Sequence, residues 1–145
     1  MAGTISISAD NLYRNKHTGK AFRVLTVGFV ADASDGSVPS LTIGDAALGP
    51  GAKEILHGWN FYAMDTICNH GGTEVTEDSD VTLTQNSVDL LDGNGTDQLD
   101  NTANRRIYSA IDGQAAENPV FADLVLTISG NSVNSATGTL YLIFT

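Results

Sequence analysis

The chain has 145 residues, 41% of them hydrophobic and only 17% charged, and carries a net charge of −10. That length favours one domain with a real core, while seven Lys and Arg against 17 Asp and Glu argue against a nucleic-acid or anionic-membrane partner, since both need cationic surface. The single cysteine, Cys68, excludes a disulfide within the chain, and the abundance of Gly, Asn, Ser and Thr suits short strands joined by turns.

Residues 1–20 differ from the rest. They hold "ISIS", a short edge-strand candidate, then Arg14, Lys16 and Lys20. Arg23 follows close by, so four of the seven basic residues lie in this part of the chain. Residues 1–20 are expected to be an N-terminal arm or an edge strand, less ordered than the body, and residues 21–145 a single β domain. Nothing at the start has the basic and apolar regions of a signal peptide. Together with the lone cysteine, this points to synthesis in a reducing cytoplasm.

"AFRVLTVGFVA" (21–31) is largely apolar on both faces, as in a strand covered on two sides. "DASDGS" supplies a turn, and "VPSLTI" (38–43) is a strand with Pro39 near its start. A long connection follows, with one helical turn expected over 52–57. "WNFYAMDTI" (59–67) reads as a strand, and "DVTLTQNSVDLL" (80–91) as one long strand or two short ones. "DGNGTDQLDNTANR" (92–105) is a polar loop, "RIYSAI" (106–111) a strand, and "DGQAAENP" (112–119) a turn or a single helical turn. "VFADLVLTI" (120–128) alternates, and "GTLYLIFT" (138–145) closes the chain after a turn-rich link. Short strands with turn signals every 8–12 residues indicate an all-β fold, an antiparallel β-sandwich or a jelly-roll-like barrel with no long helix.

Several residue sets invite a chemical reading. Asp89, Asp92, Asn94, Asp97 and Asp100 are dense enough in oxygen to hold Ca²⁺. Counted as an EF-hand loop from Asp92, however, the sixth position is Asp97 rather than Gly and the twelfth is Ala103 rather than Glu. Asp-Gly and Asn-Gly turn chemistry accounts for the composition. Cys68, His57 and His70 match no zinc spacing, and a lone cysteine is commonly a small buried hydrophobe. Glu74, Glu77, Asp78 and Asp80 read as a solvated acidic stretch rather than as carboxylates facing across a cleft. No Lys or Arg occurs from Glu54 through Asn104, which makes a charge asymmetry with the basic start; such an asymmetry can orient one subunit against another. With no phosphate loop and no nucleophile elbow, no catalytic residue, metal ligand or cofactor site is assigned, and a non-enzymatic protein is expected.

The segments "LLDGNGTDQLDN", "RRIYSAIDG" and "FADLVLTISGNSVNSATGTLYLIFT" resemble small virion structural proteins of tailed bacteriophages, namely capsid decoration, or cement, proteins. The resemblance covers residues 81–145 and rests on a Gly/Asn/Thr-rich all-β style rather than on a diagnostic motif. It implies a small β-fold on the outer capsid surface of the virion, made in the host bacterial cytoplasm. Such a fold is often a trimer or dimer and clamps neighbouring major capsid proteins without an active site. The alternative is a calcium- or carbohydrate-binding β-sandwich module using Asp92, Asn94 and Asp97 with Trp59 or Tyr62. A cupin-type barrel ranks last, because His17, His57 and His70 are scattered.

The closing strand bears on assembly. Leu140, Leu142 and Phe144 fall on one face, Tyr141 and Ile143 on the other. A strand with one solvated face alternates apolar with polar residues, and this one does not. Cover from residues 1–20, or a central position in which Tyr141 half buries, would satisfy it. A homo-oligomer with Tyr141 and Ile143 near the contact is the expectation, with Arg14, Lys16 and Lys20 as further interface candidates.

Overall fold

A computed structural model describes residues 1–44 and 56–145; most of the helical turn expected over 52–57 lies outside them. The described residues form no helix. Twelve strands run in order: β1 (Thr4–Arg14), β2 (Ala21–Val30), β3 (Leu41–Ile43), β4 (Asn60–Ile67), β5 (Asp80–Gln85), β6 (Val88–Asp89), β7 (Arg105–Tyr108), β8 (Ala110–Ile111), β9 (Gln114–Ala115), β10 (Asn118–Pro119), β11 (Leu124–Ser129) and β12 (Thr137–Phe144). All pairings are antiparallel.

The larger sheet has the order β1-β2-β12-β4, with β10 and β7 both on the far edge of β4. The smaller one has the order β3-β11-β5-β6. The fold is thus all-β and sandwich-like, without a closed barrel among the described residues. Alternation sets the core. Leu25, Val27 and Phe29 of β2, Leu140, Leu142 and Phe144 of β12, and Phe61 and Met64 of β4 meet Val81, Leu83, Leu124, Leu126 and Ile128 of the smaller sheet in one buried cluster. Each such side chain contributes about 1.5–3 kcal/mol of burial. Gly138 is required where β12 crosses Phe29, because a Cβ there would lie 2.6 Å from the Phe29 ring and 3.0 Å from Cys68 Sγ.

The closing strand is therefore central, between β2 and β4. Its inner face is fully buried, Ile143 is half-buried and Tyr141 stays 36% exposed. This is the central position with a half-buried tyrosine, and among the described residues no third layer lies over it. Residues 4–14 are an edge strand, paired along their length with β2 apart from a bulge between Ile7 and Ala9. Asn15 closes the hairpin, its side-chain oxygen accepting the N–H groups of His17 and Thr18.

Two other expectations change. The strand expected over 106–111 is interrupted at Ser109, which is buried between β7 and β8; its N–H still donates to Tyr62 O of β4 at 2.9 Å, while its hydroxyl donates to Leu90 O. The stretch 112–119 begins with the expected turn, at Asp112 and Gly113, and then makes two short strands with no helical turn, pinned by Asn118, whose amide donates to Ser109 Oγ at 2.6 Å.

Candidate functional site

The reactive-looking side chains do not converge. Cys68 is fully buried, and burial, followed by the negative charges of Asp100 and Glu74, pushes its thiol up to about 12. The thiolate that a nucleophile needs is thus suppressed. His70 is exposed; its Nε2 lies 2.8 Å from Thr137 O, and its Nδ1 accepts the Gly72 N–H at 3.2 Å. His17 sits in the β1–β2 turn and His57 in the turn before β4, so the three histidines occupy separate elements.

The acidic loop uses its carboxylates as turn braces. Asp89 accepts the N–H groups of Leu91 and Gly93, and Asp92 accepts that of Gly113. Asp80 accepts the N–H of Asp97. Asp100 is buried and holds Thr102 and Arg105; hydrogen bonds from Thr102, then from Arg105, keep its carboxyl near 2. Asp92 and Asp97 themselves adopt left-handed backbone, as does Gly93, which fits the turn reading. Among the described residues no three His, Cys, Asp or Glu side chains gather as a cation's ligand set.

Apolar surface does converge, on the outer face of the larger sheet. One cross-strand row runs Val24–Ile143–Ala63–Tyr108, with Val24 and Ile143 half-buried, Ala63 fully buried and Tyr108 exposed, and the next, polar apart from its tyrosine, runs Thr26–Tyr141–Asp65–Arg106. Beyond the first row, Tyr62 meets Tyr108 edge-on at 5.7 Å between centroids. Both rings line an open cleft of about 350 Å³ with Ser109, Ala115, Ala116 and Glu117. At the hairpin, Tyr13 stacks on Phe22 at 5.0 Å. Arg106 forks onto Asp65 at 2.5 and 2.7 Å, so the polar part of this face is internally neutralised.

The expected interface residues fall in two places. Tyr141 and Ile143 lie in the middle of the face, whereas Arg14, Lys16 and Lys20 lie at the tip of the β1–β2 hairpin. Sequence reading missed Val24, Tyr108, Tyr13 and Phe22 as parts of the same surface. The available signal was the spacing of Tyr13 and Phe22 about "RNKHTGKA", which a hairpin closed at Asn15 places opposite each other. No family model matches this chain, and neither a curated protein nor a solved structure matches it.

Proposed function

We propose that the protein is a non-enzymatic virion structural protein of the capsid-decoration kind, seated on major capsid proteins through the outer face of its larger sheet. The observation that carries the reading is the apolar face around Tyr141 and Ile143, which no other described part of the chain covers. Exposed apolar groups gathered within a polar surround can mark an interface, and tyrosines are enriched where interface energy concentrates. This face serves both expected contacts, one with neighbouring copies of a dimer or trimer near Tyr141 and Ile143 and one with the major capsid protein. The mechanism is mechanical: each copy buries apolar area across a seam between capsid proteins, and many copies together raise the cost of separating them. Area alone does not set the affinity of each contact.

The calcium- or carbohydrate-binding alternative draws less support, because the carboxylate of Asp89 braces its own turn and that of Asp92 is taken up by the Gly113 N–H of the β8–β9 turn. The test is co-sedimentation of the purified chain with decoration-free phage heads. The wild-type chain should pellet with the heads, and Tyr141→Asp/Ile143→Asp should weaken binding about 30-fold or more, as expected for loss of an interface centre worth ~2 kcal/mol or above. Equal binding by the double variant would overturn the assignment of the face.

A further inference from the structure

The described cations are unevenly used. Arg23 faces Asp10, Arg105 faces Asp100 and Arg106 faces Asp65. Among the described residues, Arg14, Lys16 and Lys20 make no ion pair; Arg14 donates to Gly19 O, at 3.1 Å. All three sit at the hairpin tip, where every residue from Asn11 to Lys20 is exposed. The stacked Tyr13–Phe22 pair stiffens the tip and adds apolar contact area. With these three cations set aside, the chain's net charge of −10 becomes −13 on the remainder.

The opposite end of the sandwich is acidic. Asp35, Glu77 and Asp78 are exposed there and make no ion pair among the described residues. They are brought together by Asn131, whose oxygen accepts Thr76 N–H at 2.9 Å and whose amide donates to Gly36 O at 2.6 Å. Since β2 joins the two ends, its ten residues put them about 34 Å apart at ~3.4 Å per residue. That exceeds the screening length of about 10 Å at 0.1 M salt. At that salt the tip cations therefore gain little from their own acidic end, whereas the same end on another molecule can approach to contact and complement them.

We infer that the basic, aromatic hairpin tip docks onto the acidic end of a second copy of this chain, around Asp35, Glu77 and Asp78. The contact joins opposite ends, so it is head-to-tail rather than two-fold. Charge complementarity of this kind sets orientation and encounter rate. The contact is made by the protein alone and does not rest on the capsid reading.

The experiment is sedimentation equilibrium of the full chain at about 0.01 M and about 1 M salt, where charges act over ~30 Å and ~3 Å. The low-salt mass should be at least double the high-salt mass. Lys16→Glu/Lys20→Glu should abolish that gain, as should Glu77→Lys/Asp78→Asn, which keeps a side chain tolerant of the left-handed backbone at position 78. Mixing the two variants should restore it in part, because the unaltered basic tip of the second then meets the unaltered acidic end of the first. Lys16→Gln/Lys20→Gln, a milder change at exposed positions, should lose the gain as well. Equal masses in both salts, a gain retained by the tip variants, or no restoration on mixing would each overturn the inference. Failure to bind heads would leave this result standing, since the assay contains none.

Discussion

Asp10→Ala tests how the hairpin is held. Arg23 is 4% exposed and receives its countercharge from Asp10, 29% exposed, through a forked pair at 2.8 and 2.6 Å. Its guanidinium also lies 5.9 Å from the Trp59 ring centroid. Removing one partner of a buried pair costs about 3–5 kcal/mol, whereas exposed pairs contribute under about 1 kcal/mol. Because water reaches Asp10, an intermediate loss of about 2–3 kcal/mol is expected. For a domain near 150 residues each kcal/mol moves Tm by about 2–4 °C, so a drop of roughly 5–10 °C follows. The assay is thermal unfolding by circular dichroism at neutral pH. Asp10→Ala/Arg23→Met removes both members of the pair and should recover part of the loss. A drop under ~1 °C for Asp10→Ala would contradict this expectation.

Cys68 should resist a soluble thiol reagent in the native protein and react at once on unfolding. Its folded pKa lies above the unfolded value, so the stability it contributes is complete below about pH 9 and declines as pH rises toward about 12; melting curves across that range check the sign. Asp100 behaves oppositely. Its carboxyl is held near 2, below the unfolded value of about 3.9, so its contribution is complete above about pH 4 and fades as pH falls through 2. Asp100→Asn should flatten the acid limb of a Tm–pH profile. Chelator should leave the wild-type Tm unchanged, because the turn at 89–100 is braced by backbone N–H groups; a fall of several degrees would favour the calcium-binding reading.

The strands of the core were legible wherever alternation was strong. Leu124, Leu126 and Ile128, and Leu140, Leu142 and Phe144, point inward as their period of two requires. A central place for the closing strand was one of the arrangements its two apolar faces allowed, beside cover from residues 1–20 and a subunit contact; among the described residues only its inner face is covered. The length of β1 was not legible, because "ADNLYR" carries too little alternation. Its strand identity comes from pairing with β2, a long-range property. Ser109 broke an otherwise plausible strand for a similar reason: its bond to Leu90 O joins residues far apart in sequence. The outer-face surface was half legible. Tyr141 and Ile143 were visible from one strand's pattern, but Val24 and Tyr108 join them only once register is known. The charge asymmetry was readable from the positions of Arg14, Lys16 and Lys20, though not that folding leaves those three without an ion pair among the described residues.

The most direct measurement of the central claim is a cryo-electron microscopy map of a tailed-phage particle carrying this chain. Density for the sandwich is expected on the outer capsid at seams between major capsid proteins, with Tyr141 and Ile143 turned toward the shell. Density for the chain away from the shell, or a sandwich bound with that face open to solvent, would contradict it.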